Sequence, residues 1–129
     1  MTFDVRGHLA KLRCRDTDWL RVHRAELVRD LRRLQVEELV ALRVLDERGV
    51  RSDELAADDG VSVANMRARI ETARAIESLP AIAEAAHEGA LSSEQLAPVA
   101  QLADENTDRE WASRARNTSP VDFKRMVRT

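Results

Sequence analysis

The chain is poor in cysteine and in aromatic residues. It has one cysteine, Cys14, among 129 residues, and only 3% of its residues are aromatic. A single cysteine cannot form an internal disulfide, so the sequence excludes a disulfide framework and favours a reducing compartment, the cytoplasm. With so few aromatic residues, the core has to be built mainly from Leu, Val, Ile and Ala, which suit helix packing better than sandwich packing.

Long hydrophobic runs are also missing. No stretch approaches the roughly 20 apolar residues that a membrane-spanning helix requires, and the first residues, Met-Thr-Phe-Asp-Val-Arg-Gly-His, lack the apolar segment of a signal peptide. We therefore expect neither membrane insertion nor secretion.

Charge of neither sign dominates the sequence. The 21 basic and 23 acidic residues give a net charge of −2. This balance excludes a uniformly basic nucleic-acid coat protein but is compatible with a local basic face. Only Lys11 and Lys124 are lysines, and this arginine bias resembles proteins of high-GC bacteria or their phages.

The sequence lacks the residue clusters that catalysis requires. His8, His23 and His87 are far apart, and Cys14 has no cysteine neighbour with which to hold zinc. There is no Gly-rich phosphate loop and no Gly-x-Ser-x-Gly motif. We expect this chain alone to be no enzyme, with no metal, no cofactor and no small-molecule substrate.

Residues 55–70, with the sequence LAADDGVSVANMRARI, carry the most informative pattern. Ala56 is small enough for two helices to cross closely, Gly60 can adopt a positive φ, and Ser62 can cap a second helix. Residues 52–78 are therefore predicted to form a helix-turn-helix-like pair, the arrangement that many proteins use to read DNA.

Met66 and Ile70 are predicted to face inward from the second helix, which leaves the opposite face for a DNA groove. Arg and Asn side chains suit guanine and adenine edges, while Arg69 and Arg74 are placed to reach phosphates. The predicted DNA-binding residues are Arg51, Ser62, Ala64, Asn65, Arg67, Ala68, Arg69 and Arg74. The alternative is a packed helical hairpin with solvated arginines, since the acidic residues of this segment leave it no strong phosphate-binding charge.

Residues 17–48 are predicted to form one long helix that ends at Gly49. A helix of this length either crosses the whole domain or pairs with a second copy of the chain. The residues predicted to mediate dimerisation are Leu20, Leu27, Leu31, Leu34 and Leu42. The alternative is burial within the chain, because Val28, Val36, Leu39, Val40 and Val44 broaden the apolar face.

Residues 80–128 are predicted to form short helices. Their start signals are Pro80, the capping boxes Ser92/Gln95 and Thr107/Glu110, and Ser119-Pro120. Gly89 ends the first of them with His87 in its last turn, and Pro98 is expected to bend or loosen the second. The predicted fold is all-α: a compact single-domain bundle of six or seven helices over residues 1–129, with one long N-terminal helix and a central helix-turn-helix-like pair.

From about Leu27 to Val127 the order of short motifs resembles the domain of unknown function 222, found in actinobacterial HNH-endonuclease-like proteins that are also called 13E12-repeat proteins. The matching segments are 37–42, 46–49, 54–56, 60–62, 73–76, 79–80, 89–92 and 119–123. The resemblance implies a helical module that precedes an HNH nuclease and serves DNA targeting or self-assembly, and it supplies no catalytic site. Two departures are Pro98 and the end of the sequence at Thr129, before an HNH region.

Three functions follow as expectations. The first is a non-catalytic module that binds double-stranded DNA, and the second is a helical scaffold that forms a homodimer or binds other proteins. The third is a fragment of an HNH endonuclease whose catalytic part lies beyond Thr129.

Overall fold

The computed structural model describes residues 2–128, which form eight α-helices and no β-strand. The helices are α1 (Val5–Arg13), α2 (Thr17–Glu47), α3 (Ser52–Asp59), α4 (Val63–Ile76), α5 (Pro80–His87), α6 (Ser93–Leu102), α7 (Asp108–Asn117) and α8 (Pro120–Arg128). The all-α fold class is confirmed, whereas the predicted number of six or seven helices is wrong. The additional helix is α1. Its sequence signal is weak because the helix-disfavouring Gly7 lies in its first turn, where the Asp4 carboxylate accepts a hydrogen bond from the Gly7 backbone N–H.

Most of the predicted helix starts are confirmed. The long helix α2 begins where the Asp16 carboxylate accepts a hydrogen bond from the Trp19 N–H at 2.7 Å. Both hydrogen bonds of the Ser92/Gln95 capping box are present at the start of α6, and Ser119 caps α8. Pro98 lies inside α6, as the sequence predicts.

The predicted capping box of Thr107 and Glu110 does not form. The Thr107 side chain makes no cap hydrogen bond to α7. Its hydroxyl accepts from the Asp104 N–H at 3.0 Å, and the Asp104 carboxylate accepts from the Thr107 N–H at 2.9 Å. The Thr107 hydroxyl is therefore used in the turn with Asp104 that precedes α7 and does not cap the helix. Glu110 forms an ion pair with Arg114 instead.

The core lies where the C-terminal half of α2 meets α4, α5 and α6. Helix α4 is central, since it packs on α2, α3 and α6, and α5 packs on α2 and α7. The largest fully buried side chains are Phe123, Met66, Leu79, Ile82 and Val99. Each of them contributes roughly 1.5–3 kcal/mol through the removal of apolar surface from water.

The N-terminal part of the chain lies outside this core. Helix α1 buries no residue, and the buried residues of α2 begin only at Val36. We call residues 4–33 the N-terminal arm. The arm carries nine Arg and Lys residues against five Asp and Glu residues, so it is a basic helical extension of an otherwise acidic body.

Asp108 joins the helices of the C-terminal half. Its buried carboxylate accepts hydrogen bonds from the backbone N–H groups of Ala81 at 2.8 Å and Ile82 at 2.9 Å. Both donors lie in the first turn of α5, and Leu79, at the N-cap position, supplies no side-chain cap. Asp108 of α7 therefore caps α5, although the two helices are separated by α6 in the sequence.

We predict that Asp108→Ala lowers the free energy of unfolding by about 2 kcal/mol, because it removes a cap and leaves two N–H groups without an acceptor. Urea unfolding followed by circular dichroism measures this change. Asp58→Ala is the matched control, since it deletes an exposed carboxylate at the C-terminal end of α3. An equal effect of the two substitutions would contradict the role of Asp108.

Candidate nucleic-acid interface

Helices α3 and α4 form the predicted pair around Gly60. This glycine has a left-handed backbone with φ of 67°, and the next residue, Val61, donates its N–H to the Ala56 carbonyl at 3.0 Å. Ser62 accepts a hydrogen bond from the Asn65 N–H at 3.0 Å and so caps α4. Gly favours this positive φ because it has no side chain that would strain it.

Helix α4 has one buried side and one exposed arc. Met66 and Ile70 face inward, as predicted, with 0% and 5% of their surface exposed. The exposed arc consists of Ala64, Arg67, Ala68, Glu71 and Arg74. At 3.6 residues per turn these five residues span about 120° of the helix surface.

Asn65 does not share this arc with Arg67. The two residues are about 160° apart around the helix axis. Asn65 lines a groove of about 380 Å³ together with Gln35 and Glu38 of α2 and residues of α6. The two side chains best suited to base recognition therefore face different directions.

Two of the predicted phosphate-binding arginines are held in ion pairs. Arg69 pairs with Glu38 of α2 and, at 3.2 Å, with Asp59 of α3. Arg74 donates two hydrogen bonds of 2.7 Å to the carboxylate of Asp46. The structure thus gives both side chains the role of fastening α4 to its neighbours.

Within residues 2–128, Arg51 and Arg67 form no ion pair that fastens α4 to another helix, unlike Arg69 and Arg74. Arg51 remains largely exposed while it contacts Asp53 at 2.7 Å. Arg67 is exposed and forms no ion pair with any carboxylate of residues 2–128. Of the arginines on the exposed arc, Arg67 is the one whose guanidinium is available to an external acceptor.

Asp46 is the centre of the contact between α2 and α4. The hydrogen bonds from Arg74, and the positive charges of Arg74 and Arg43, lower the pKa of the Asp46 carboxyl although its burial opposes this. Asp46 in turn raises the pKa of Arg74. Arg43 also reaches Glu77, at 3.1 Å, near the end of α4. This cluster fixes how α4 lies against α2.

The segment of residues 52–78 has an unfavourable charge for a phosphate backbone. It contains Arg67, Arg69 and Arg74 against six Asp and Glu residues. The α3–α4 pair alone therefore has little electrostatic attraction for DNA. The excess of basic residues lies instead in the N-terminal arm and in residues 111–128.

The leucines predicted for dimerisation fall into two groups. The prediction that Leu42 mediates dimerisation is wrong, because Leu42 is only 4% exposed and faces the core of its own chain together with Val36 and Leu39. Leu27, Leu31 and Leu34 are 50%, 57% and 55% exposed, and Leu20 is half-buried. These four, on one side of α2, are called the leucine stripe below.

The predicted alternative, burial within the chain, holds for part of α2 only. Val36 and Leu39 are buried in the core, whereas Val40 and Val44 remain exposed. Packing on α4 and α5 therefore uses only one narrow side of the helix.

No group of three or more His, Cys, Asp or Glu residues within residues 2–128 is arranged to hold a metal ion. None of the described helices has the length and apolarity needed to cross a bilayer.

No protein family, curated protein or solved structure matches the chain.

We predict that Arg74→Gln raises the pKa of Asp46 toward the ordinary carboxyl value, since it removes the main group that lowers it. A lowered pKa stabilises the folded protein above the ordinary value of about 4, and this stabilisation is lost as the pH falls through the folded pKa. The stability difference between the wild type and the variant should therefore shrink below about pH 4.

An NMR titration of the Asp46 carboxyl carbon, with urea unfolding at each pH, measures both effects. Arg51→Gln is the control, because Arg51 pairs with Asp53 and not with Asp46. If the titration midpoint of Asp46 were the same in Arg74→Gln as in the wild type, Arg74 would not be the group that lowers the pKa of Asp46.

Proposed function

We propose that this chain is a non-catalytic helical module that binds double-stranded DNA and places the exposed arc of α4 in the major groove. The observation that carries the proposal is the α3–Gly60–α4 geometry, in which the residues of this arc are exposed and Arg67 has no carboxylate partner within residues 2–128. Ala64 and Ala68 are small, so the helix backbone can approach the base edges closely. Arg67 stands between them in sequence and can donate two hydrogen bonds to guanine.

Phosphate affinity in this proposal comes mainly from outside the α3–α4 pair. The pair carries more acidic than basic residues, whereas the N-terminal arm has four more basic than acidic residues. Contacts between lysine or arginine and phosphate release counterions, and they make binding weaker as salt increases. The arm therefore supplies the sequence-independent part of the binding, and α4 supplies base contacts.

The resemblance to the domain of unknown function 222 implies DNA targeting or self-assembly, so it is compatible with this assignment and equally with self-association. The proposal assigns no nuclease chemistry to this chain. In a longer protein of that kind, the module would bring a separate nuclease domain to its DNA.

We expect Arg67→Ala to weaken binding to duplex DNA about tenfold, which corresponds to the loss of one good base contact. Fluorescence anisotropy with a labelled duplex at about 50 and 200 mM salt measures the affinity and its salt dependence. Arg109→Ala is the matched control, because Arg109 is an exposed arginine of α7, which does not pack on α4.

The arm is tested by Arg21→Ala/Arg24→Ala in the same experiment. This double variant should bind more weakly and should lower the slope of log affinity against log salt by about 2, roughly 0.9 for each phosphate contact. Equal affinity of Arg67→Ala and Arg109→Ala would refute the placement of α4. Absence of binding at low salt would refute DNA binding altogether.

We propose self-association through the leucine stripe as a second function, and a specific observation favours it. The three exposed leucines, Leu27, Leu31 and Leu34, form a continuous apolar side of α2 that the described chain leaves uncovered. Leu20, Leu27 and Leu34 recur every seven residues, the spacing of paired helices.

We expect Leu31→Asp/Leu34→Asp to convert a dimer into a monomer, because two carboxylates cannot be buried in an apolar helix contact. Sedimentation equilibrium over a range of protein concentrations measures the mass. Leu102→Asp is the matched control, since Leu102 is 54% exposed on α6. A wild-type protein that stays monomeric at all concentrations would refute self-association.

A further inference from the structure

A groove of about 470 Å³ is lined by residues of α6 and α8 and by Arg32 of α2. It lies apart from the exposed arc of α4, and none of the predicted DNA-binding residues lines it. Its volume is within the range of about 300–1,000 Å³ that small-molecule sites occupy. A molecule of that size, rather than a macromolecule, matches the space.

The floor of the groove is apolar and well supported. Phe123 is 2% exposed and packs edge-on against Trp111, with 6.1 Å between the ring centroids. Val127 and Pro98 continue the same surface. Because these side chains belong to packed helices, the floor is already formed for a flat aromatic or aliphatic group.

The rim of the groove is basic. Among the described residues, Arg32 of α2 and Lys124 and Arg128 of α8 line it, against the carboxylate of Glu94. Lys124 and Arg128 are one helical turn apart, so they lie on the same side of α8. Neither forms an ion pair with a carboxylate of residues 2–128.

Arg32 is held in place at this rim. Its Nη1 donates a hydrogen bond of 2.6 Å to the Gly89 carbonyl. A guanidinium has five N–H donors in a fixed plane, so this bond positions the group and leaves others for a ligand. A fixed arginine, together with Lys124 and Arg128, which have no carboxylate partner within residues 2–128, favours an anionic group.

We propose that this groove binds a small amphipathic anion, whose aromatic or aliphatic body lies on Val127 and Pro98, with the buried Phe123 beneath them, and whose sulfonate, carboxylate or phosphate group contacts Lys124 and Arg128. An apolar floor alone would accept a neutral molecule, and a basic rim alone would accept inorganic phosphate. The two together select a molecule that has both parts. This inference does not depend on DNA binding or on self-association.

The probe for the test is 1-anilinonaphthalene-8-sulfonate, an aromatic anion whose fluorescence rises in apolar surroundings. We expect saturable binding to the wild type and about tenfold weaker binding to Lys124→Gln/Arg128→Gln, because charge-assisted hydrogen bonds are lost. Arg125→Gln is the matched control, since Arg125 is on the same helix but does not line the groove. Val121→Glu should also weaken binding, since it adds a carboxylate at an exposed position of the lining.

Two further measurements distinguish this site from other apolar surfaces. N-phenyl-1-naphthylamine, which has a similar aromatic body without the sulfonate, should bind more weakly and should not respond to Lys124→Gln/Arg128→Gln. The variant Leu31→Asp/Leu34→Asp should retain binding of the sulfonate, because the leucine stripe is elsewhere. Equal affinity in the wild type and Lys124→Gln/Arg128→Gln, or loss of binding in the leucine variant, would overturn the proposal.

Discussion

The packing of α4 at the centre of the molecule is the constraint on which the rest of the structure depends. This helix buries Met66 completely, and it contacts α2, α3 and α6 at once. Its contact with α2 is fixed further by the cluster around Asp46, where Arg74 and Arg43 approach the same carboxylate. Since close-packed helices cannot rotate without exposing their apolar sides, only one arc of α4 is available to a partner.

That constraint also explains why charge is distributed unevenly. Arg43, Arg69 and Arg74 form the ion pairs that hold α4, so they are balanced locally by carboxylates. Residues 34–110 contain seven basic and 17 acidic residues, whereas the N-terminal arm and the C-terminal helices carry the basic excess. The small net charge of the whole chain therefore conceals an acidic body with two basic ends, and it is the ends that attract anions.

Local signals made much of the fold predictable. Gly60 and the capping box of Ser92 and Gln95 act within a few residues, so their backbone geometry follows from sequence alone. The predicted capping box at Thr107 does not form because Asp104, three residues earlier, hydrogen-bonds to the Thr107 hydroxyl that would have capped α7.

The side-chain contacts were much less predictable. Arg74 and its partner Asp46, or Arg69 and its partner Glu38, are brought together only by the packing of α4 on α2. The same holds for the groove, since Arg32 meets α8 only in the folded chain. For Leu42 and Leu31, helical spacing identifies both as apolar positions of α2, but only the packed structure assigns one to the core and the other to the surface. The proposed functions consequently depend on tertiary contacts more than on motifs. They also share the N-terminal arm.

DNA binding and self-association can both use the N-terminal arm, because they need different sides of α2. On α2, Arg29 is about 180° from Leu20 around the helix axis, and Arg33 is also far from the stripe. Pairing through the leucines would therefore leave these arginines exposed. Helix α1 has nine residues and no buried side chain, so it is too short to be stable by itself in water. A dimer would present two basic arms and two α4 arcs to one duplex, and its two-fold symmetry would set the spacing of the half-sites.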